Sequence, residues 1–322
     1  MNTKHILVTG GAGYIGSHMV RALKAAGCTP IVVDNLSTGH RALVPRGVAF
    51  VKADLRDLAA MKKLFRQKFD AVMHFAGLIA VGESVKKPLT YYENNVAGSL
   101  NLIGCTSKAG VPYFIFSSTA AVYVSGARRL TEKVKLGPVN PYGENKLMVE
   151  RILADLCTKG LLRYAALRYF NACGAHSSGE TGEWHEPETH LIPNVLRAAR
   201  TGGKVKVFGD DYPTKDGTCI RDYIHVEDLC AGHLAALKAL MKGHKGGAFN
   251  LGTGHGYSVL EVIRAAEKVT GKKIKVVMDK RRSGDAVSLV ADPSKALREF
   301  KWKAQRNLMD AVTSAWAWET RH

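Results

Sequence analysis

The feature that most constrains this chain lies near its start, where the apolar run at residues 5–9 leads straight into Gly10-Gly11-Ala12-Gly13-Tyr14-Ile15-Gly16 and then into a helical pattern. Glycine at 10, 13 and 16 lets the backbone turn tightly, approach a pyrophosphate and pack the helix close to the sheet, while the first helical amides face the phosphates. A glycine triplet alone describes only a tight turn. The strand before it and the helix after it make it a dinucleotide fingerprint. Asp34 closes the second apolar run, where a carboxylate accepts hydrogen bonds from ribose hydroxyls and repels a 2′-phosphate, so the expected cofactor is NAD.

The same theme recurs over the first 170 residues. Apolar β-branched runs at 5–9, 30–34, 49–52, 71–74, 113–117 and 164–168 alternate with helical patterns at 16–26, 58–68, 91–109 and 141–159. This rhythm predicts an α/β chain, a Rossmann doubly wound parallel sheet. After Arg168 it breaks, with glycine, proline and charge filling 174–187 and 209–217. Residues 1–170 are therefore expected to form the NAD-binding domain and 171–322 mainly a smaller C-terminal α/β substrate-binding domain, the chain crossing back between them.

Composition narrows the function classes. The apolar run at the N-terminus is too short for a signal peptide or a membrane span, so a cytoplasmic protein without membrane association is expected. The six cysteines are scattered with no C-x-x-C pair, and no metal site is expected. A formal charge of +18 raises nucleic-acid binding. The lysines and arginines, however, form short groups such as Lys62, Lys63, Arg66 and Lys68, without interleaved aromatics, so a nucleic-acid partner is not expected.

Two further segments fall where later strands should reach the ligand crevice: Asp54-Leu55, and Phe75-Ala76-Gly77, whose small residues would let a cofactor lie against backbone. The chemistry points to Tyr142 and Lys146, four residues apart and so on one helical face. An ammonium beside a phenol favours the phenolate and lowers its pKa, readying it to take a proton from an alcohol. An isolated pair of this spacing is common on helix surfaces. What gives it meaning is the apolar strand before it, which ends in the hydroxyls of Ser117, Ser118 and Thr119.

At these residues the chain resembles the extended short-chain dehydrogenase/reductase superfamily and, within it, the UDP-glucose 4-epimerases. The likeness spans nearly the whole chain, with long runs at 33–39, 91–98, 141–150, 167–171 and 208–225. It implies that Tyr142 is the general base, that Lys146 holds the nicotinamide ribose, and that Thr119 bridges to the reacting sugar hydroxyl. It implies NAD contacts from Asp34, Asn35, Ser37, Thr38, Gly39, Asn94, Ser117 and Tyr169, and sugar-nucleotide contacts from Ser118, Asn171, His190, Leu191, Phe208, Arg221, Tyr223, Arg282 and Asp285. Arg221 and Arg282 offer planar forks to a diphosphate, and Asp285 can accept from ribose.

The implied reaction inverts carbon 4 of a UDP-sugar through a 4-keto intermediate on tightly held NAD. A 4,6-dehydratase would need an Asp-Glu pair after the threonine, where Ala120-Ala121 stand. A dehydrogenase would exchange cofactor at each turnover. A noncatalytic NAD-sensing or RNA-binding protein would leave the Thr, Tyr and Lys set unexplained. Two departures stand out: Val124 replaces a usual glycine in an atypical loop at 124–130, and Leu289 replaces a bulky tyrosine found in some relatives. The smaller side chain suggests room for UDP-N-acetylhexosamines, and UDP-pentoses also remain open. The segments 91–109 and 141–159 resemble helices through which relatives form homodimers.

Overall fold

The structure is a computed structural model that describes residues 3–124, 129–282 and 285–322. Its centre is a parallel sheet containing β1 (His5–Thr9), β2 (Thr29–Asp34), β3 (Ala49–Lys52), β4 (Ala71–His74), β5 (Tyr113–Thr119) and β6 (Arg163–Tyr169). These are the six runs expected from sequence. A seventh strand, Gly247–Leu251, joins from far along the chain and pairs in parallel with β6, Gly247 beside Ala165 and Leu251 beside Tyr169. The spatial order is Gly247–Leu251, β6, β5, β4, β1, β2, β3.

Helices cover both faces, which is why β1 and β4 read as continuous apolar runs. On one face Met19, Val20 and Leu23 of the helix Tyr14–Ala25 pack with Leu229, Ala236 and Leu237 of the helix Val226–Met241. On the other, Leu102 and Ile103 of Gly98–Lys108 meet Val149 and Leu153 of Pro141–Thr158 over Phe114 and Phe116. The helix expected at 58–68 stops at Leu64. The one expected at 91–109 has a wider turn at Tyr92–Ala97, with the π-type pairing that often accompanies a functional position, before it runs on as an α-helix.

Residues after 171 also build short parallel pairs, Asn171–Cys173 with Tyr223–His225 and Lys204–Phe208 with Lys275–Asp279. Helices Leu191–Thr201, Val259–Thr270 and Leu308–Glu319 enclose a separate apolar cluster around Val195, Val262 and Val312. Among the described residues, no helix is long and apolar enough to cross a membrane.

Candidate active site

β1 has β2 on one side and β4 on the other, so the loops leaving β1 and β4 diverge and open a crevice at the strand ends. The backbone is drawn tight there. A Cβ on Gly16 would lie 2.1 Å from the Gly10 carbonyl oxygen, and one on Gly10, at φ +69°, would lie 2.5 Å from the Ala76 nitrogen. The helix beginning at Tyr14 has neither a capping side chain nor an acidic residue in its first turn. Its opening amides are thus free for an anion.

Asp34, 8% exposed, accepts from the Ala12 amide at 3.0 Å and the Leu36 amide at 2.8 Å, one on each oxygen. Each oxygen keeps a lone pair for a ribose hydroxyl. Burial raises its pKa, partly offset by those amides, and a 2′-phosphate there would meet a buried carboxylate. The residues therefore fit NAD. Asn35 donates to Asp54 at 2.9 Å and accepts from the Ser37 amide at 3.0 Å, while Gly39 packs against Ala12. Arg56 clamps Asp54 and holds its pKa well below the usual carboxylate range.

The helix carrying Tyr142 starts where Asn140 accepts from the Gly143 amide at 2.9 Å, with Pro141 in the first turn. A Cβ on Gly143 would lie 2.4 Å from the Ala121 carbonyl oxygen. Glycine thus allows the helix to close on the turn after Thr119, bringing the Thr119 hydroxyl to the Tyr142 phenol. Lys146, 4% exposed, donates to the Ser117 carbonyl at 2.8 Å and lies against Gly77. Burial lowers its pKa to about 8, against the opposing pull of Glu150.

Two expectations need correction. Burial raises the Tyr142 pKa above its ordinary value, and the Thr119 hydrogen bond is what pulls it back. The ammonium of Lys146 stands 6.0 Å from the tyrosine ring centre and is spent on the Ser117 carbonyl, so it does not lower the phenol directly. Ser118 is also turned away: successive side chains on β5 alternate faces, so Ser117 and Thr119 face the crevice while Ser118 donates to buried Glu150. Its hydroxyl is engaged there rather than with substrate.

Ser117 and Tyr169 hydrogen-bond each other at the ends of β5 and β6. Phe75 packs against His233 at 4.9 Å between ring centres. Asn94 donates to Asn95 at 3.0 Å, and it is Asn95, not singled out from sequence, that grips Leu78 through both its amide and its carbonyl. Also unforeseen is the buried set behind the helix that carries Tyr142 and Lys146. Glu150 pairs with Arg168, which donates to Tyr123 at 3.1 Å, and Tyr123 donates to Asn250 at 2.7 Å. A lone glutamate at the tenth position of a helix gives no sequence signal of such a partner.

The expected nucleotide residues fall into two groups. Arg221 reaches Asp285 at 3.3 Å and the Ala286 carbonyl at 2.8 Å, and Arg282 lies 3.9 Å over the Phe208 ring. Asn171 pairs with Tyr223 in neighbouring strands, and Tyr223 is buried among Cys173, Ile192 and Val195. His190 precedes the helix that Leu191 begins, with its Nδ1 turned onto Glu183 at 2.6 Å. Of the atypical loop, residues 125–128 lie outside the described residues. Leu130, its last residue, is fully buried.

The model of the NAD dependent epimerase/dehydratase family matches residues 6–252. The chain is similar to the UDP-glucose 4-epimerase of Lactobacillus helveticus, with 50% identity over 321 residues, 98% of this chain and 97% of that protein. Among solved structures it is similar to a crystal structure of UDP-glucose 4-epimerase, with a TM-score of 0.96, 46% identity, and coverage of 99% of this chain and 98% of that one. It is also similar to the UDP-glucose 4-epimerase of Bifidobacterium longum in complex with NAD+ and UDP, with a TM-score of 0.93, 42% identity, and coverage of 99% and 98%.

Proposed function

The chain belongs to the NAD dependent epimerase/dehydratase family, and we propose that it interconverts UDP-glucose and UDP-galactose by inverting carbon 4 through a 4-keto sugar. The observation that carries this reading is the convergence of Thr119, Tyr142 and Lys146 at the strand ends beside the glycine cradle. When bound, NAD supplies the acceptance and return of hydride at carbon 4.

Tyr142 as phenolate takes the proton of the carbon-4 hydroxyl and later returns it, while Thr119 shares that hydroxyl and stabilises the phenolate. Lys146 holds the nicotinamide ribose from its seat on the Ser117 carbonyl, and Gly10, Gly13, Tyr14, Ile15 and Gly16 cradle the pyrophosphate. Asp34 takes the adenosine ribose, with Asn35, Ser37, Thr38, Gly39, Asp54 and Leu55 around the adenosine. Phe75, Ala76, Gly77, Asn94, Ser117 and Tyr169 line the path toward the nicotinamide. Arg221, Arg282, Asp285 and Phe208 anchor the UDP, so the keto sugar can rotate about its diphosphate link and present its other face. Residues 1–170 serve mainly NAD and 171–322 mainly the UDP-sugar.

Ala120 and Ala121 supply no acid or base for dehydration. Leu289 packs in the cluster of Ala120, Val122, Tyr123 and Leu147, close to the Thr119 turn. This favours a second substrate class, UDP-N-acetylhexosamines. The protein works in the cytoplasm as a homodimer, the pairing supported by Leu100, an apolar side chain 52% exposed on the first of the segments expected to pair. The deciding experiment incubates purified protein with UDP-glucose without added NAD and follows the sugar by NMR. UDP-galactose should appear until the two reach equilibrium. Formation of a 4-keto-6-deoxy product, or an absolute need for added NAD at each turnover, would overturn the reading.

A further inference from the structure

Away from the reacting groups, the segment leading into helix Leu191–Thr201 gathers Glu183, His185, Glu188 and His190, with one donor atom of each within 4.8 Å of the others. We propose that these four side chains bind one divalent transition-metal ion, zinc first, as a structural site. A tetrahedral zinc with bonds of about 2.0–2.2 Å holds its donors roughly 3.3–3.6 Å apart. Here His185 Nδ1 is 3.3 Å from Glu183 Oε1 and 3.7 Å from Glu188 Oε2, the oxygen of Glu188 that takes no backbone amide. The 2.6 Å approach of His190 Nδ1 to Glu183 Oε1 must widen to admit the ion.

The satisfaction of the polar atoms points the same way. Glu183 and Glu188 keep only 5% and 1% of their side chains exposed. Glu188 Oε1 accepts from the amides of Thr189 and His190 at 2.7 and 2.8 Å. Glu183 Oε1 and His185 Nδ1, by contrast, are buried close together without a properly angled hydrogen bond. Two carboxylates at this depth need two positive charges nearby. Protons on both imidazoles supply the charge but leave those two atoms unsatisfied, whereas a divalent ion supplies the charge and satisfies all four donors. Two imidazole nitrogens with two carboxylates suit zinc over magnesium or calcium, and four protein donors leave no open position for catalysis.

The site would fasten a segment that touches both halves of the chain. Trp184 stacks on His40 at 3.9 Å, His185 meets Tyr14 edge-on at 6.3 Å, and Trp318 donates to the Glu183 carbonyl at 3.0 Å. The cysteines carry no zinc-ligand spacing, and no histidine neighbours them, so the expectation of no metal does not extend to a set built from histidine and glutamate. The signal was His-x-x-Glu-x-His at 185–190.

Elemental analysis of untagged, full-length protein purified without chelator should find about one zinc per chain. The double variant His185→Ala, Glu188→Gln should lose at least nine-tenths of it, roughly a tenfold drop or more. Chelation should lower the Tm of the wild type, with recovery on adding zinc and none on adding magnesium. Should the double variant not fold, wild type exchanged with cobalt gives a second measurement, expected to show the strong visible absorption of tetrahedral coordination. A zinc-free protein whose Tm ignores added zinc, zinc retained in the double variant, or weak six-coordinate cobalt absorption would each overturn the proposal.

Discussion

The proposed catalytic edge and the proposed nucleotide-anchoring flank are built by opposite means. Thr119 ends a long parallel strand, and Tyr142 and Lys146 share one face of an 18-residue helix. Their convergence follows from two regular periodicities and one close approach at Gly143. Arg221 and Leu289 sit instead on two-residue strands, and Arg282 and Asp285 on the loop before the second of these. There, ion pairs and ring stacking between distant segments hold the geometry. A site on regular elements is stiff and suits proton transfer, which tolerates little misplacement, while a site on short strands can adjust to the sugar it holds.

This contrast can be tested by damaging each region in turn. Tyr142→Phe should lower kcat about 10²–10⁴-fold with NAD and UDP-sugar binding intact, as read by turnover and by isothermal titration. Near-normal epimerisation by that variant would remove Tyr142 as the base. Glu150→Ala strips the partner from Arg168 beneath the catalytic helix, where both side chains are about 5–6% exposed. Unfolding in denaturant should show a loss of about 3–5 kcal/mol, and a loss below 1 kcal/mol would mean that the catalytic helix does not depend on that pair.

On the flank, Arg221→Ala should raise KM for UDP-glucose about 10–100-fold while kcat changes little, the pattern of a lost charged hydrogen bond. An equal fall in kcat would place that arginine with the chemistry and dissolve the contrast. Thr119→Ala tests the catalytic edge by pH. Because the threonine hydrogen bond favours the Tyr142 phenolate, its removal should raise the tyrosine pKa and move the acid limb of the kcat/KM profile to higher pH. An unmoved limb would leave burial as the only influence on the phenol. The smallest effect is expected from Leu289→Tyr, a severalfold drop in turnover of UDP-GlcNAc relative to UDP-glucose, and an unchanged ratio would take the sugar pocket away from that position.

Legibility follows the same division. The strand limits and the glycine turn could be read because apolar runs buried on both faces and a tight backbone leave local marks. The loss of the Ser118 hydroxyl as a substrate contact was legible too, since it lies one residue from Thr119 on an alternating strand. Asn95, Glu150 and the cluster at Glu183–His190 were missed because each depends on a partner distant in sequence or on how a glycine-rich segment folds back on itself.

The order of residues alone determined the parallel sheet, the dinucleotide turn and the presence of a tyrosine and a lysine on one helical face, since each is a matter of period and of which residues fit a confined backbone. Tertiary structure decided the rest. It gave the sheet its last strand from residues 247–251, placed the Lys146 ammonium on a carbonyl instead of beside the phenol, and set two glutamates against two histidines. Such outcomes turn on burial and on the direction in which a side chain finds its partner, and neither is written into any short stretch of chain.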